Sequence, residues 1–270
     1  MARAEKVQVP VERTPVLQLR AITKRFGAVQ ALGGVDFEVR AGEVVGLVGD
    51  NGAGKSTLIK TIAGIHPPDS GEFVFEGRRV TVTGPKDSAR LGIATVYQDL
   101  ALCDNLDVVA NLFLGREETA GVVLDEVAME RRARGVLRTL SVTIPSVRTP
   151  IALLSGGQRQ SVAVARSVMW NSKVVLLDEP TAALGVAQTR QVLDLITRLR
   201  SQGLGVVVIS HNLADVFEVC DRIIVLRLGR RAASFTVGAA SREQVVAAIT
   251  GAEFGPAPEE TGRPGPGGGR

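Results

Sequence analysis

The chain has 270 residues, of which 45% are hydrophobic and 22% charged, a balance that is typical of a folded protein and excludes a wholly disordered chain. This length allows one large domain, or a core domain with an inserted subdomain. No stretch approaches the roughly 20 apolar residues of a membrane span, and residues 1–15 lack the apolar segment of a signal peptide.

The formal net charge is +4, and several arginines fall in one predicted helix: Arg131, Arg132, Arg134 and Arg138. A solvated helix face is the simplest interpretation, and nucleic acid or lipid headgroups are alternative partners. The two cysteines, Cys103 and Cys220, are far apart and outside any CxxC spacing. We therefore expect free thiols in a reducing compartment and neither a disulfide nor a metal site.

In chain order, residues 1–15 are predicted to form a flexible arm, residues 16–254 a single domain, and the Gly- and Pro-rich residues 255–270 a disordered tail. Short apolar runs predict strands at Val16–Arg20, Val35–Arg40, Val44–Val48, Glu72–Phe75, Arg79–Thr83, Ile93–Tyr97, Val174–Leu177, Val206–Ile209 and Ile223–Leu226. Helical patterns between them, such as Lys55–Ala63 and Ser155–Trp170, predict an α/β fold with a mostly parallel sheet. Residues 107–140 are helical with no clear strand, so about 98–154 is predicted to be an inserted helical subdomain.

One glycine-rich segment has the strongest functional signal. Between a predicted strand and a predicted helix, G-x-x-x-x-G-K-[ST] is matched by Gly49, Asp50, Asn51, Gly52, Ala53, Gly54, Lys55, Ser56 and Thr57. Glycines let backbone N–H groups turn toward phosphate oxygens, and the helix N-terminus adds partial positive charge. We expect Lys55 to reach the β- and γ-phosphates of a nucleotide, Ser56 to ligate Mg²⁺, and Thr57 to add a phosphate contact. A glycine-rich turn that binds nothing is the alternative.

Two acids end a buried strand, where open α/β sheets place their ligands. Four apolar residues precede Asp178 and Glu179. Because successive strand residues point to opposite sides, we expect different roles: Asp178 holds Mg²⁺ through its water shell, and Glu179 is the general base for the attacking water. Two solvated acids at a strand end are the alternative.

A further segment, Leu154 followed by Ser155, Gly156, Gly157 and Gln158, is similar to the LSGGQ signature of the ATP-binding cassette (ABC) family. A serine N-cap with two glycines at a helix start would give the same letters without a nucleotide role. In the family this helix N-terminus contacts the γ-phosphate held by the other subunit of a dimer. The resemblance covers about residues 17–228, and it implies a P-loop ATPase core with an N-terminal antiparallel β subdomain and an inserted helical subdomain.

Three further positions match the family. Gln98 resembles the Q-loop glutamine that contacts Mg²⁺, His211 the switch histidine that contacts γ-phosphate, and Phe26 the aromatic residue that stacks on adenine. A structural histidine and a core phenylalanine are the alternatives. One position departs from the family: Gly185 stands where an Asp usually helps to couple the two sites of the dimer.

Residues 96–102 and 111–117, with residues 22–32, resemble the ATPase subunits of simple-sugar importers for ribose, xylose, fructose or galactose. The resemblance implies an ATP- and Mg²⁺-dependent hydrolase, peripheral to the cytoplasmic face of the cell membrane. Its implied partners are a second ATPase subunit in a homodimer, transmembrane permease subunits and an extracytoplasmic sugar-binding protein, with no nucleic acid. The alternatives are an exporter motor, a soluble cassette ATPase acting on nucleic acid or ribosomes, and a regulatory subunit with little catalysis.

Overall fold

The computed structural model describes residues 14–252, so most of the predicted arm and the predicted tail lie outside the described residues. Strands and helices alternate as the apolar runs predicted, and the strands within the described residues form three sheets. The strands are β1 Pro15–Phe26, β2 Val29–Arg40, β3 Val44–Val48, β4 Ser70–Phe75, β5 Arg78–Val80, β6 Ile93–Val96, β7 Thr119–Ala120, β8 Val123–Leu124, β9 Val174–Asp178, β10 Gly205–Ile209, β11 Arg222–Arg227 and β12 Arg230–Thr236. The helices are α1 Lys55–Ile62, α2 Pro85–Arg90, α3 Val108–Phe113, α4 Glu126–Thr139, α5 Gly156–Val168, α6 Val186–Ser201, α7 Leu213–Val219 and α8 Arg242–Thr250.

The central sheet has the order β12-β11-β3-β10-β9-β6, and its inner strands are parallel. Only β12, at one edge, is antiparallel to its neighbour. A second sheet, β2-β1-β4-β5, is wholly antiparallel. The predicted α/β class with a mostly parallel sheet and an antiparallel β unit is therefore confirmed.

Two hydrophobic cores lie on opposite faces of the central sheet because side chains alternate along each strand. In β3, Val45 and Leu47 belong to the core shared with the antiparallel sheet and α1. Val44 and Val48 belong to the core shared with helices α3 to α6. The strands β9 and β10 divide their residues in the same way, so both faces of the sheet are buried and the strand ends are held rigidly.

The first two strands are longer than predicted. Irregular residues interrupt the alternation of apolar and polar side chains on which the prediction was based. Ala21 has a left-handed backbone (φ 48°), and Gly34 in β2 has φ 83°. The pairing register of β1 with β2 shifts on either side of Ile22. The Ala21 N–H donates to Asp36 Oδ1 at 2.8 Å, so this bulge retains a hydrogen-bond partner.

The segment that was predicted to be helical throughout, residues 107–140, contains a small hairpin. Strands β7 and β8 separate α3 from α4, and each has only two residues. Val122 at its turn is fully exposed. A strand of two residues shows no alternating pattern, which is why the sequence did not predict it.

The arginines of α4, the two cysteines and the helices were each the subject of a prediction from composition. Arg131, Arg132, Arg134 and Arg138 are exposed on α4, as expected of a solvated face. Both cysteines are free thiols, and Cys220 is buried. Across residues 14–252, none of the helices combines the length and apolar character that a membrane crossing requires.

Candidate active site

Four neighbouring parallel strands have their carboxyl ends at the same edge of the central sheet, and each carries a predicted site residue at its end or just beyond it. The glycine loop follows β3, His211 follows β10, Asp178 is the last residue of β9, and Gln98 follows β6. The register aligns Leu47 with Ile209, Ile209 with Asp178, and Val96 with Leu177. Residues that are up to 162 positions apart (211 − 49) are therefore brought to one sheet edge.

The glycine loop, residues 49–54, is held by backbone contacts that leave no room for a side chain at its first and last glycines. A Cβ at Gly49 (φ 150°) would lie 2.2 Å from the Leu226 carbonyl oxygen, and one at Gly54 (φ 103°) would lie 2.9 Å from the Ala31 carbonyl oxygen. Gly54 is also the N-cap of α1. Lys55 Nζ donates to the carbonyl oxygens of Gly49 at 2.7 Å and Asp50 at 3.0 Å. The ammonium group is thus held over the loop, where a phosphate oxygen would compete for it.

A cavity of about 440 Å³ opens on this loop. Residues 51–57 form one wall, and the other walls are residues 29–31 at the start of β2 and residues 228–229 after β11. Backbone hydrogen bonds join these walls, because the Gly229 N–H donates to Ala53 O at 3.0 Å and the Gly33 N–H donates to Gly229 O at 2.7 Å. The walls outside the motif were not predictable from the sequence, since they are formed by distant segments that have no local signal.

Phe26 is not among the residues that line this cavity. It ends β1, and a two-residue turn separates it from Val29, which does line the cavity. The Phe26 ring is 43% exposed and makes an edge contact with the ring of His66, with centroids 5.1 Å apart. Phe26 is therefore not a core residue, and base stacking stays a prediction.

The acidic pair adopts a conformation that the sequence did not predict. The strand β9 ends at Asp178, and Glu179 has a left-handed backbone with φ 50°. The expected strand alternation therefore does not extend to Glu179, because its backbone is no longer extended. The Glu179 N–H donates to Ile209 O at 2.9 Å, and His211 Nδ1 lies 2.8 Å from Glu179 Oε2, as a donor to that carboxylate oxygen. The Glu179 side chain is 18% exposed and the His211 side chain 76%, so the pair reaches from the sheet edge toward solvent.

Burial and neighbouring charges both shift the pKa values of Lys55 and Asp178 at this edge of the sheet. Burial lowers the pKa of Lys55, while the carboxylates of Glu179, Asp50 and Asp178 act to raise it. Burial, and next the adjacent charge of Glu179, raise the pKa of Asp178, while Lys60 and Lys55 act to lower it. Two neighbouring carboxylates in a partly buried place would be relieved by a divalent cation.

The residues proposed for Mg²⁺ offer oxygen donors only: the Ser56 hydroxyl, the Gln98 amide oxygen and the Asp178 carboxylate. Within residues 14–252 no three His, Cys, Asp or Glu side chains group closely enough to hold an ion by themselves. This donor set fits Mg²⁺, which keeps several waters and shares its coordination with substrate phosphates. Gln98 is exposed and lies two residues beyond the end of β6.

The signature segment forms the N-terminus of α5, and its cap is fully satisfied. Ser155 Oγ accepts from the Gln158 N–H at 3.3 Å, and Gln158 Oε1 accepts from the Ser155 N–H at 3.0 Å. The N-cap alternative is therefore correct as a description of local structure. A Cβ at Gly156 would lie 2.9 Å from Leu184 Cδ2, and one at Gly157 would lie 3.0 Å from Gln188 Cβ. No residue of 155–158 lines the cavity on the glycine loop of the same chain.

Gly185 is the N-cap of α6, with φ −73° and ψ 164°. Its N–H donates to Gln188 Oε1 at 3.4 Å, and a Cβ there would meet nothing within 4 Å. The position therefore has room for a Cβ, so packing at this point does not require glycine.

We expect Gly49→Ala to lower the free energy of unfolding by about 1–3 kcal/mol, because the new Cβ overlaps the Leu226 carbonyl and the backbone conformation disfavours alanine. Gly135→Ala is the matched control, since this glycine lies inside α4 with nothing near its Cβ position. That change should raise the free energy of unfolding by about 0.5–1 kcal/mol. Chemical denaturation of both variants measures the difference, and equal stabilities would contradict the geometry of the loop.

Solved structures with this fold are ATP-binding cassettes. A nucleotide-free ATP-binding cassette from an ABC transporter aligns with a TM-score of 0.76 and 27% identity, covering 88% of this chain and 96% of that chain. A dimeric cassette in a post-hydrolysis state, bound to ADP and Pi, aligns with a TM-score of 0.69 and 26% identity, covering 82% of this chain and 98% of that one. The fold and the sheet edge described above thus define a cassette of the P-loop type.

The family model described as "ABC transporter" matches residues 32–182. The xylose/arabinose import ATP-binding protein XylG of Sulfolobus acidocaldarius is 50% identical over 80% of this chain and 86% of its own length. The fructose import ATP-binding protein FrcA of Rhizobium meliloti is 46% identical over 90% of this chain and 96% of its own length. This chain belongs to the ABC transporter family. The ribose import ATP-binding protein RbsA 1 of Rubrobacter xylanophilus is 43% identical over 88% of this chain, which spans about half (47%) of that relative.

Proposed function

We propose that this chain is the ATP-hydrolysing subunit of an importer for a monosaccharide. The observation that carries the proposal is the convergence at one sheet edge of the glycine loop, the acidic pair and His211. The similarity to import ATP-binding proteins for xylose/arabinose, fructose and ribose supports the substrate class. A motor of this kind lies on the cytoplasmic face of the membrane, against transmembrane subunits that form the pore.

The chemistry that these residues support is attack of water on the γ-phosphorus of ATP, in which the bond to the bridging oxygen breaks and ADP leaves. The loop N–H groups and Lys55 hold the phosphates and balance their charge. Glu179 accepts a proton from the attacking water, and the contact with His211 Nδ1 orients its carboxylate. Mg²⁺, when bound by Ser56, Asp178 and Gln98, supplies charge stabilisation to the phosphate oxygens.

A second copy of this chain completes the site in our proposal. Residues 155–157 are outside the cavity of their own chain and form a helix N-terminus, which attracts anions; Ser155 is exposed, Gly156 half-buried and Gly157 buried. In a head-to-tail dimer, Ser155, Gly156 and Gly157 of each copy would face the γ-phosphate bound by the other. Loss of that phosphate would remove the charge that both copies share, so the copies would separate.

The helical segment at about 98–154 is the proposed contact with the transmembrane subunits, and an extracytoplasmic sugar-binding protein would deliver the substrate. Between this segment and the sheet lies a cavity of about 390 Å³, whose lining includes Tyr97, Leu100, Arg116, Arg166 and Trp170. Tyr97 and Asp99, the two neighbours of Gln98, both line this groove. A movement of Gln98 would therefore be transmitted to an element of the transmembrane subunits bound in the groove.

Deletion of the gene for this chain should abolish uptake of at least one labelled sugar among ribose, xylose, arabinose, fructose and galactose. The wild-type chain should restore uptake, and a chain with Lys55→Ala should not. The control is Lys86→Ala, an exposed lysine on α2, which should restore uptake fully. Unchanged uptake of all five sugars after deletion would contradict sugar import, and an accumulation of a solute in the deleted strain would favour the exporter alternative.

A further inference from the structure

The short segment Pro180–Leu184 joins the acidic pair to Gly185 at the start of α6, and it is tied down on two sides. On one side, Thr181 Oγ1 donates to Asp215 Oδ2 at 2.6 Å. On the other side, Leu184 packs on α5, with its Cδ2 only 2.9 Å from where a Cβ of Gly156 would lie. Its own turn is closed by the Ala182 N–H, which donates to Glu179 O at 3.1 Å. The position of Glu179 therefore depends on how firmly this segment is held.

Asp215 is buried with only 7% of its surface exposed, although it carries a carboxylate. It lies in the first turn of α7, four positions after His211 (215 − 211). Burial of a carboxylate is costly unless the group is hydrogen-bonded, so the short bond from Thr181 is a fixed contact and not an occasional one.

Two parallel links thus join the ends of β9 and β10. The first is the contact between Glu179 and His211, and the second is the bond between Thr181 and Asp215. The first link involves a histidine that is largely exposed, whereas the second joins a half-buried threonine to a buried aspartate. The second link is the firmer of the two, because it is less exposed to competition from solvent.

The backbone of Glu179 needs such support. A φ of 50° is unfavourable for a residue with a Cβ, and it persists only where the surroundings hold it. At the far end of the segment, Gly185 has no side chain with which to hold it. Within residues 180–184, the side chain of Thr181 therefore provides the hydrogen bond to another element, which is α7.

We propose that Asp215 is a positioning residue for hydrolysis: through Thr181 it holds segment 180–184 and thereby keeps Glu179 in the orientation that activates water. The inference rests on the proposed function, because it assigns the geometry of the base in that same site. Asp215 touches neither nucleotide nor water in this role, so its removal should affect the chemical step and leave ATP binding unchanged.

The test uses the full-length chain and four variants: Thr181→Val, which removes only the hydroxyl, Thr181→Ser, which retains it, Asp215→Ala, and the double variant Thr181→Val with Asp215→Ala. We expect Thr181→Val and Asp215→Ala each to lower kcat for ATP hydrolysis about tenfold, with KM for ATP within about twofold of wild type, because small displacements of a reacting group are costly. Thr181→Ser should retain wild-type kcat, and the double variant should be no slower than the slower single variant. Glu218→Gln, on the same helix but in a surface pair with Arg190, is the matched control.

Hydrogen exchange provides a readout that does not depend on turnover. In Thr181→Val the peptide covering residues 178–185 should exchange several times faster than in wild type, while β6 and α1 stay unchanged. Wild-type kcat in Thr181→Val, additive losses in the double variant, or unchanged exchange of residues 178–185 would each overturn the proposal. Failure of the proposed function itself would show differently, as a wild-type chain that neither binds nor hydrolyses ATP although its exchange pattern retains the Thr181 dependence.

Discussion

Replacement of Glu179 by glutamine should lower the rate of ATP hydrolysis by about 10²- to 10⁴-fold and leave ATP affinity unchanged. An amide of the same shape retains the place beside His211 but cannot accept a proton at neutral pH. Lys55 contacts the glycine loop after β3, whereas Glu179 follows β9, so the replacement does not alter the contacts of Lys55. Phosphate release by the full-length chain, measured beside equilibrium binding of ATP, separates the two effects.

The same variant should reveal the dimer, because ATP that is bound and not hydrolysed would keep two copies together. Sedimentation of Glu179→Gln should show a monomer without nucleotide and a dimer with ATP and Mg²⁺. Adding Ser155→Arg, which places bulk and charge at the α5 N-terminus, should abolish the dimer and preserve ATP binding. Ser201→Arg, at the exposed end of α6, is the control for that change.

Glu76→Gln is the matched control for the hydrolysis measurement. This glutamate pairs with Lys173, which precedes β9 and so lies at the opposite edge of the sheet from Glu179. Its replacement should leave turnover at the wild-type value. Near-normal turnover in Glu179→Gln would show that another group accepts the proton, and a monomer in the presence of ATP would contradict the composite site.

Replacement of Lys55 by alanine should weaken ATP binding by about 10- to 150-fold. Hydrogen bonds to charged groups contribute about 1.5–3 kcal/mol each, and the ammonium is the cation that the loop itself orients, through the carbonyls of Gly49 and Asp50. Its removal also takes away one of the positive charges that interact with the carboxylates of Asp178 and Glu179. Isothermal titration with ATP and Mg²⁺ measures the change in affinity.

Lys86→Ala removes an equal charge from an exposed position on α2 and should bind ATP as wild type does. This control separates a local effect of Lys55 from the change in net charge. An affinity that is unchanged in Lys55→Ala would show that the glycine loop is not the phosphate-binding site, whatever the fold.

Much of the candidate site was predictable because its parts are local. The strand, glycine loop and helix at residues 44–62 are contiguous, and each conformation follows from its own residues. The N-cap of α5 is equally local, since Ser155 and Gln158 satisfy each other within one turn. The parallel sheet was predictable from apolar runs of strand length that alternate with helical patterns.

Features that depend on distant segments were not predictable. The bulge at Ala21 is stabilised by Asp36 on the next strand. It interrupts the alternation of apolar and polar residues, so the sequence predicted less than half of β1. The hairpin of β7 and β8 is too short to have a period. The turned backbone of Glu179 is set by contacts with Ile209 and His211, which lie about 30 residues later.

The sequence by itself determined the class of fold, the phosphate loop, the acidic pair and the signature helix, because each is encoded by residue types at fixed short spacings. Only the tertiary structure decided which strands are neighbours, and hence that Lys55, Glu179 and His211 share one edge. It also decided the walls of the cavity, the exposure of Phe26 and the burial of Asp215 against Thr181. The physical reason is that strand order and burial arise from packing among segments far apart in the chain, and no single segment carries that information.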